Sequence, residues 1–287
     1  MKNLIAFALM IMAQVINPIS AAEPITYKLW QNSAPTSNGI AKGLEQSDST
    51  GWITFVSEPE LTVYPATQPS GTALLLCPGG GYFGLSSLYE GSALAQPLNE
   101  IGVTLAVLKY RMPNGHHEVP REDALRALEI LNDKASELKI DPGKIGIGGA
   151  SAGGHLAGTV ISHPGKIAPA FQVLFYPVIT MNEEFSHSGS RNLLLGDKPS
   201  ENLIEYFSNE LHVSSETPPT FIAVSQNDPA VPLRNSTDYF RELVANNVPV
   251  SFHVYPTGGH GWLCNPDFAY RNQALTELTN WLVNFGR

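Results

Sequence analysis

The sequence predicts an α/β chain: a mostly parallel central sheet, helices on both faces and a small insertion. Three observations predict it. Short continuous apolar runs at 73–76, 104–110 and 171–176 read as strands buried on both faces. Segments with helical spacing of apolar residues separate them, the pattern of strands joined by crossover helices. Hydrophobic residues make up 43% of the 287 positions and charged residues 15%, enough to bury a sizeable core and to exclude wholesale disorder.

Near its start the chain carries Lys2 and an apolar run over 4–15, followed by small residues at Ser20 and Ala22. Residues 1–22 read as a secretory signal cut after Ala22, because the run is shorter than the roughly 20 residues that span a bilayer. The mature protein is then secreted or periplasmic, and no second run of spanning length follows. Residues 23–52 read as an N-terminal arm, polar over 31–51, and residues 53–287 as one domain.

Within that domain, β-rich runs at 53–56 and 61–64 have no helix between them, which suggests an antiparallel edge. The strand at 73–76 runs into Gly79-Gly80-Gly81. A helix is expected over 92–101 and a strand over 104–110. Over 122–138, Leu125, Leu128, Leu131, Ala135 and Leu138 share one helical face. Asp141-Pro142-Gly143 breaks the chain before a strand at 144–148 and a helix at 152–161. After the strand at 171–176, residues 179–219 are polar and read as helix-poor, an insertion that serves as a small cap or substrate-facing loop. Strands at 221–225 and 250–255 and helices at 236–246 and 271–284 complete the alternation.

Charge narrows the partners. Lys+Arg 17 against Asp+Glu 26 gives a formal charge of -9, with no basic cluster, so nucleic acid is not an expected partner. Cys77 and Cys264 are too few for a disulfide framework or a cysteine zinc site. Export would permit a bridge between them, but Cys77 closes a buried strand, where a free thiol packs as a small hydrophobe. His116-His117-Glu118 has no ligand geometry, since adjacent side chains diverge. No metal or cofactor is expected.

The chemistry-bearing signal is Gly149-Ala150-Ser151-Ala152-Gly153, a Gly-x-Ser-x-Gly between a predicted strand and helix. Such a turn exposes a serine hydroxyl above a helix N-terminus, and its glycines remove side chains that would collide with backbone. The rival reading, a phosphate cradle, lacks the Gly-x-Gly-x-x-Gly or Gly-Lys-Ser/Thr spacing. A serine hydroxyl needs a base, and the base an orienting acid. Asp228 follows the strand at 221–225, and His260, in Gly258-Gly259-His260-Gly261, follows the strand at 250–255. Both therefore fall at the strand ends where Ser151 emerges. Backbone N–H groups of Gly80, Gly81 and Ala152 are the candidate oxyanion donors. His155 reads as a structural residue. His187, Ser190 and Arg191 lie in the insertion, facing either the site or solvent. Tyr82, Phe83, Tyr89 and Trp262 lie near the catalytic loops and either stack on sugar or pack inside. Tyr82, Trp262 and Arg191 are the substrate-contact candidates.

These motifs resemble the α/β-hydrolase superfamily and, more narrowly, bacterial secreted carbohydrate esterases of the acetylxylan/feruloyl esterase-like type. The likeness rests on Cys77-Pro78-Gly79-Gly80-Gly81-Tyr82, Glu90-Gly91, Leu108-Lys109-Tyr110-Arg111, the Ser151 motif, Phe175-Tyr176-Pro177-Val178, Gly189-Ser190-Arg191 and Gly258-Gly259-His260-Gly261. It implies an α/β-hydrolase fold and a Ser151–His260–Asp228 triad. It further implies hydrolysis of acyl groups, acetyl foremost, from carbohydrate such as xylan. Lipase-like relatives carry His before the three glycines, where this chain has Pro78. Two other readings stay open. One is a secreted peptidase of the prolyl-oligopeptidase type, whose extra β-propeller would not fit in the arm. The other is a glycan-binding protein on a hydrolase scaffold. The acyl group, the sugar and the oligomeric state are not legible.

Overall fold

The computed structural model describes residues 22–285. The expected signal segment lies outside the described residues, apart from Ala22. Strands and helices are numbered here along the chain.

One sheet carries eight strands. In spatial order they are β1 (Ile25–Lys28), β4 (Glu60–Tyr64), β7 (Thr104–Lys109), β5 (Ala73–Cys77), β8 (Ile145–Ala150), β9 (Gln172–Phe175), β10 (Thr220–Ser225) and β11 (Val250–Tyr255). All neighbours from β7 to β11 are parallel, and β4 alone opposes the rest. The fully buried strands are the central ones: every residue of β5, β8, β9 and β10 is buried. They form the hydrophobic layer that parallel sheets need on both faces. A small second sheet joins β2 (Gln46–Ser47), β3 (Trp52–Thr54) and β6 (Gly84–Ser86).

Helices α1 (Ala95–Glu100), α2 (Val119–Asp133), α3 (Ala135–Leu138), α4 (Ala152–Ser162), α7 (Arg234–Ala245) and α8 (Arg271–Asn284) connect or cover the sheet. Helix α2 starts three residues before the expected 122, because Pro120 sits in its first turn, where its missing N–H costs nothing. Ala124, Ala127, Leu128 and Leu131 form its buried stripe, while Leu125 is only half-buried.

The run at 53–56, expected beside 61–64 at an antiparallel edge, instead supplies β3 of the small sheet, while β4 pairs with β1 and β7. Two further expectations differ from the structure. Residues 23–52 are not simply an arm. Strand β1 extends the main sheet beside β4, and Trp30 donates its indole N–H to Asp123 at 2.8 Å. Asp123 is itself buried and paired with Arg111, whose Nη1 bonds the Thr36 carbonyl. The buried ion pair thus ties the N-terminal segment to α2. Strand β1 alternates half-buried and exposed residues, a signal too short to stand out. The second difference is in 179–219, which contains α5 (Ser188–Leu195) and α6 (Glu201–Phe207). Each is short, so neither shows an apolar repeat. Side-chain caps start them instead: His187 accepts from the Ser190 N–H, and Ser200 from the Leu203 N–H.

Cys77 and Cys264 are buried and unbridged. Burial pushes both thiols up, Cys264 to about 12, so neither is a thiolate at neutral pH.

Candidate active site

Ser151 stands between β8 and α4 with φ 53° and ψ -121°, a conformation that non-glycine residues avoid. The packing around it enforces the strain. A Cβ on Gly149 would lie 2.2 Å from the Gly153 carbonyl oxygen, and a Cβ on Gly153 would lie 2.0 Å from the Cys77 oxygen. The two glycines let β8, α4 and the end of β5 approach closely enough to fix the turn.

Because β5, β8, β10 and β11 run parallel, the loops after them share one sheet end, and the strand order changes direction beside β8. This is where open α/β sheets place their ligands. Asp228, after β10, accepts with Oδ1 from the N–H groups of Ala230 (2.8 Å) and Val231 (2.9 Å). Its Oδ2 lies 2.6 Å from His260 Nδ1. The side chain is 3% exposed, so this carboxylate is shielded from water. A carboxylate only accepts, so Nδ1–H donates and Nε2 is left as the acceptor. Nε2 lies 2.8 Å from Ser151 Oγ. Gly259 N–H donates to Asn227 at 3.0 Å, which locks the acid and base loops together. The structure thus brings Ser151, His260 and Asp228 into one hydrogen-bonded chain.

Gly80 and Gly81 line the same cleft as Ser151 and His260, a space of about 480 Å³. Their N–H groups, and that of Ala152 at the start of α4, have no acceptor among the described residues. Helix α4 adds the positive end of its dipole beside the Ser151 hydroxyl. In place of a histidine before the glycines, a buried carboxylate anchors the loop: Glu90 Oε2 accepts from Gly79 N–H at 3.0 Å. Glu90 Oε1 accepts from the Tyr176 hydroxyl at 2.7 Å, and that hydroxyl accepts from Leu263 N–H at 3.1 Å. The Tyr176 ring meets the His260 imidazole edge-on at 4.8 Å. Burial pushes the Glu90 carboxyl above its usual range. Sequence reasoning gave Glu90 and Tyr176 no role, although both stand in motifs that carried the family likeness. Trp52, Ser86 and Leu193 also line the cleft without a sequence signal.

The substrate-contact candidates fare differently. Tyr82 is 2% exposed and aims its hydroxyl inward to His155 Nδ1, at 2.7 Å. Trp262 is also 2% exposed, stacked on Phe268 beneath the His260 loop. Neither offers a ring face to a sugar, because each fills a gap in the aromatic packing under the catalytic loops. Arg191 is buried and donates through Nε to the Met181 carbonyl at 3.0 Å, holding α5 in place rather than entering the cleft. Phe83 does line the cleft and is 55% exposed, whereas Tyr89 is exposed outside its lining. His187 lines the cleft as well. His155 is fully buried between Tyr82 and the Phe207 carbonyl, and burial lowers its pKa to about 4.

Comparison with known proteins bears on the fold. Residues 74–264 match a family described as alpha/beta hydrolase fold. An acetylxylan esterase of Xylanibacter ruminicola is 36% identical over 228 residues, covering 78% of this chain and 48% of that protein. An endo-1,4-beta-xylanase B of Butyrivibrio fibrisolvens is 34% identical over 204 residues, covering 66% of this chain and 32% of that protein. The chain therefore spans half or less of these two relatives. The crystal structure of an acetyl ester-xyloside bifunctional hydrolase from Caldicellulosiruptor lactoaceticus superposes with a TM-score of 0.73 at 31% identity, covering 90% of this chain and 94% of that one. With the matched segment running from the middle of β5 past His260, the chain belongs to the α/β-hydrolase fold family.

Proposed function

We propose that the chain is a serine esterase that removes acyl groups, acetyl foremost, from acylated carbohydrate such as xylan. The observation that carries this reading is the Ser151–His260–Asp228 chain at the wall of a cleft that Gly80 and Gly81 also line. In the first step His260 Nε2 takes the Ser151 proton as Oγ attacks the ester carbonyl. Asp228 holds the imidazole and stabilises its cationic form. The N–H groups of Gly80, Gly81 and Ala152 receive the developing oxyanion, each such donor contributing about 3–4 kcal/mol in comparable acyl transfers. His260 then protonates the departing sugar oxygen. Water, activated by the same imidazole, releases the acid from Ser151.

The names of the relatives, one acting on acetylated xylan and one on an acetyl ester, support a carbohydrate ester over a peptide as substrate. The test is hydrolysis of acetylated xylan, acetylated pectin, a feruloylated oligosaccharide, p-nitrophenyl acetate and an aminoacyl-naphthylamide by the purified protein. Acetate release that Ser151→Ala abolishes is the expected result. Full ester hydrolysis by Ser151→Ala would end the proposal. The same reading includes export, supported by Lys2, the apolar run and Ser20 and Ala22. N-terminal sequencing of the mature protein should begin at Glu23.

A further inference from the structure

His187 occupies a place that the two-step chemistry does not use. It precedes α5, and its Nδ1 accepts from the Ser190 N–H at 3.2 Å and faces the Ser190 hydroxyl at 2.8 Å. A backbone N–H can only donate, so Nδ1 is an acceptor and the neutral ring carries its proton on Nε2. Nε2 has no acceptor among the described residues, yet the ring lines the cleft together with Ser151, Gly81 and His260. Its Cε1 would lie 3.7 Å from a Cβ built on Gly81, which sets the ring beside the oxyanion loop. Partial burial and the neighbouring His260 hold its pKa below the usual histidine value, so the single-donor tautomer is the form present at neutral pH.

The cleft has a floor and a rim. Ser151 and Glu90 on the floor are buried, whereas Phe83 and Leu193 on the rim are 55% and 41% exposed. An acetyl group has only two carbons. The alcohol half of the ester is larger and must cross the rim to leave. His187 lies half-buried on the rim side, one helix with Leu193. We propose that His187 is a substrate-binding residue whose Nε2–H donates to a hydroxyl or ring oxygen of the sugar half of the ester. The inference rests on the carbohydrate esterase reading above and adds to it a fixed donor for the leaving group. Polar alcohols would then be favoured over alkyl ones, because an alkyl alcohol leaves that donor unpaired.

The test measures kcat and KM on acetylated xylo-oligosaccharide and on ethyl acetate for wild type, His187→Asp, His187→Asn and His187→Ala. Asp caps α5 as well as histidine does but has no donor. Asn keeps the cap and carries an N–H at shorter reach. Taking the ratio of kcat/KM for the two esters cancels any general effect of the substitution on the triad. The expected result is a fall of about tenfold in that ratio for His187→Asp, with KM for the oligosaccharide carrying most of it and His187→Asn intermediate. If His187→Ala unfolds, His187→Asp still decides the matter. An unchanged ratio in His187→Asp, with wild type active on both esters, overturns the inference and leaves the esterase reading intact. A wild type that cleaves ethyl acetate but not the oligosaccharide overturns the carbohydrate reading and this inference with it.

Discussion

Replacing Asp228 by Asn keeps the shape of the acid and reverses one hydrogen bond. The two oxygens of Asp228 have different partners. Oδ1 accepts from two backbone N–H groups, those of Ala230 and Val231, while Oδ2 meets His260 Nδ1 at 2.6 Å. In Asp228→Asn the amide oxygen stays at the Oδ1 position, because turning it would set an NH2 group against two N–H donors. Leaving a buried donor unpaired costs about 1–3 kcal/mol, so the turned amide lies about 2–6 kcal/mol higher. The NH2 therefore faces His260 and donates to Nδ1. That places the imidazole proton on Nε2, 2.8 Å from Ser151 Oγ, where it cannot accept the serine proton. Only the turned minority is competent, which at 1.4 kcal/mol per factor of ten lowers kcat about 30- to 20,000-fold. Loss of the carboxylate's support for the imidazolium pushes the result toward the upper end, the range seen when a triad acid is made an amide elsewhere. Stopped assays of p-nitrophenyl acetate hydrolysis, with thermal unfolding as a check on the fold, measure it. A fall of less than tenfold in a folded Asp228→Asn protein would refute the assigned tautomer and with it the role of Asp228.

Other outcomes follow from the same contacts. Glu90→Ala removes the acceptor of Gly79 N–H and Tyr176 O–H, so kcat should fall about 10- to 100-fold as the glycine loop loses its anchor, while Glu90→Gln, which keeps an acceptor, should lose less. Steady-state kinetics on one acetyl ester separates the two variants. Folding lowers the pKa of His155 from the ordinary 6.5 to about 4, so the unfolded chain binds its proton more readily. Its contribution is therefore complete above about pH 6.5 and lost as pH falls toward 4, on the order of 3 kcal/mol in all. Tm measured from pH 7 to 4 should fall more steeply in wild type than in His155→Gln. Asp123→Ala leaves the Arg111 guanidinium with Glu122 at 3.7 Å and the Thr36 carbonyl as its partners and frees Trp30, and should destabilise by about 3 kcal/mol in denaturant titration.

What the sequence could disclose depended on how local the cause was. Strands β5, β8, β9 and β10 are buried along their whole length, so short runs that are mostly apolar announce them, with polar Gln172, Thr220 and Ser225 only at their ends. The turn at Ser151 announces itself because two neighbouring glycines are forced by backbone contact. Asp228 and His260 were readable because the loops after the parallel strands β10 and β11 open at the sheet end where Ser151 emerges. Short-range signals fail where the cause is a partner distant in sequence. Tyr82 follows the glycines as a sugar-stacking residue would, yet a hydrogen bond to His155, far along the chain, turns it inward. Trp262 lies beside His260 and is drawn down by Phe268 and Tyr176. The helices of the insertion depend on single capping side chains, which any polar stretch supplies by chance.

Glu90 shows why a site needs groups that its motif does not name. The oxyanion loop and the base loop come from opposite halves of the domain, and neither holds the other in sequence. Glu90 meets the first through Gly79, and Tyr176 meets the second through the Leu263 N–H and the His260 ring. Their mutual bond at 2.7 Å therefore fixes the distance between the donors and the imidazole. A buried carboxyl with a raised pKa is costly to keep. That cost is balanced only if rigid spacing between the two loops matters to the reaction, because misplacing donors by 1 Å removes much of the stabilisation they give. Pro78 in the place of a histidine fits the same logic: with the loop held from Gly79 by Glu90, the preceding side chain is free to be a ring that fixes only the backbone.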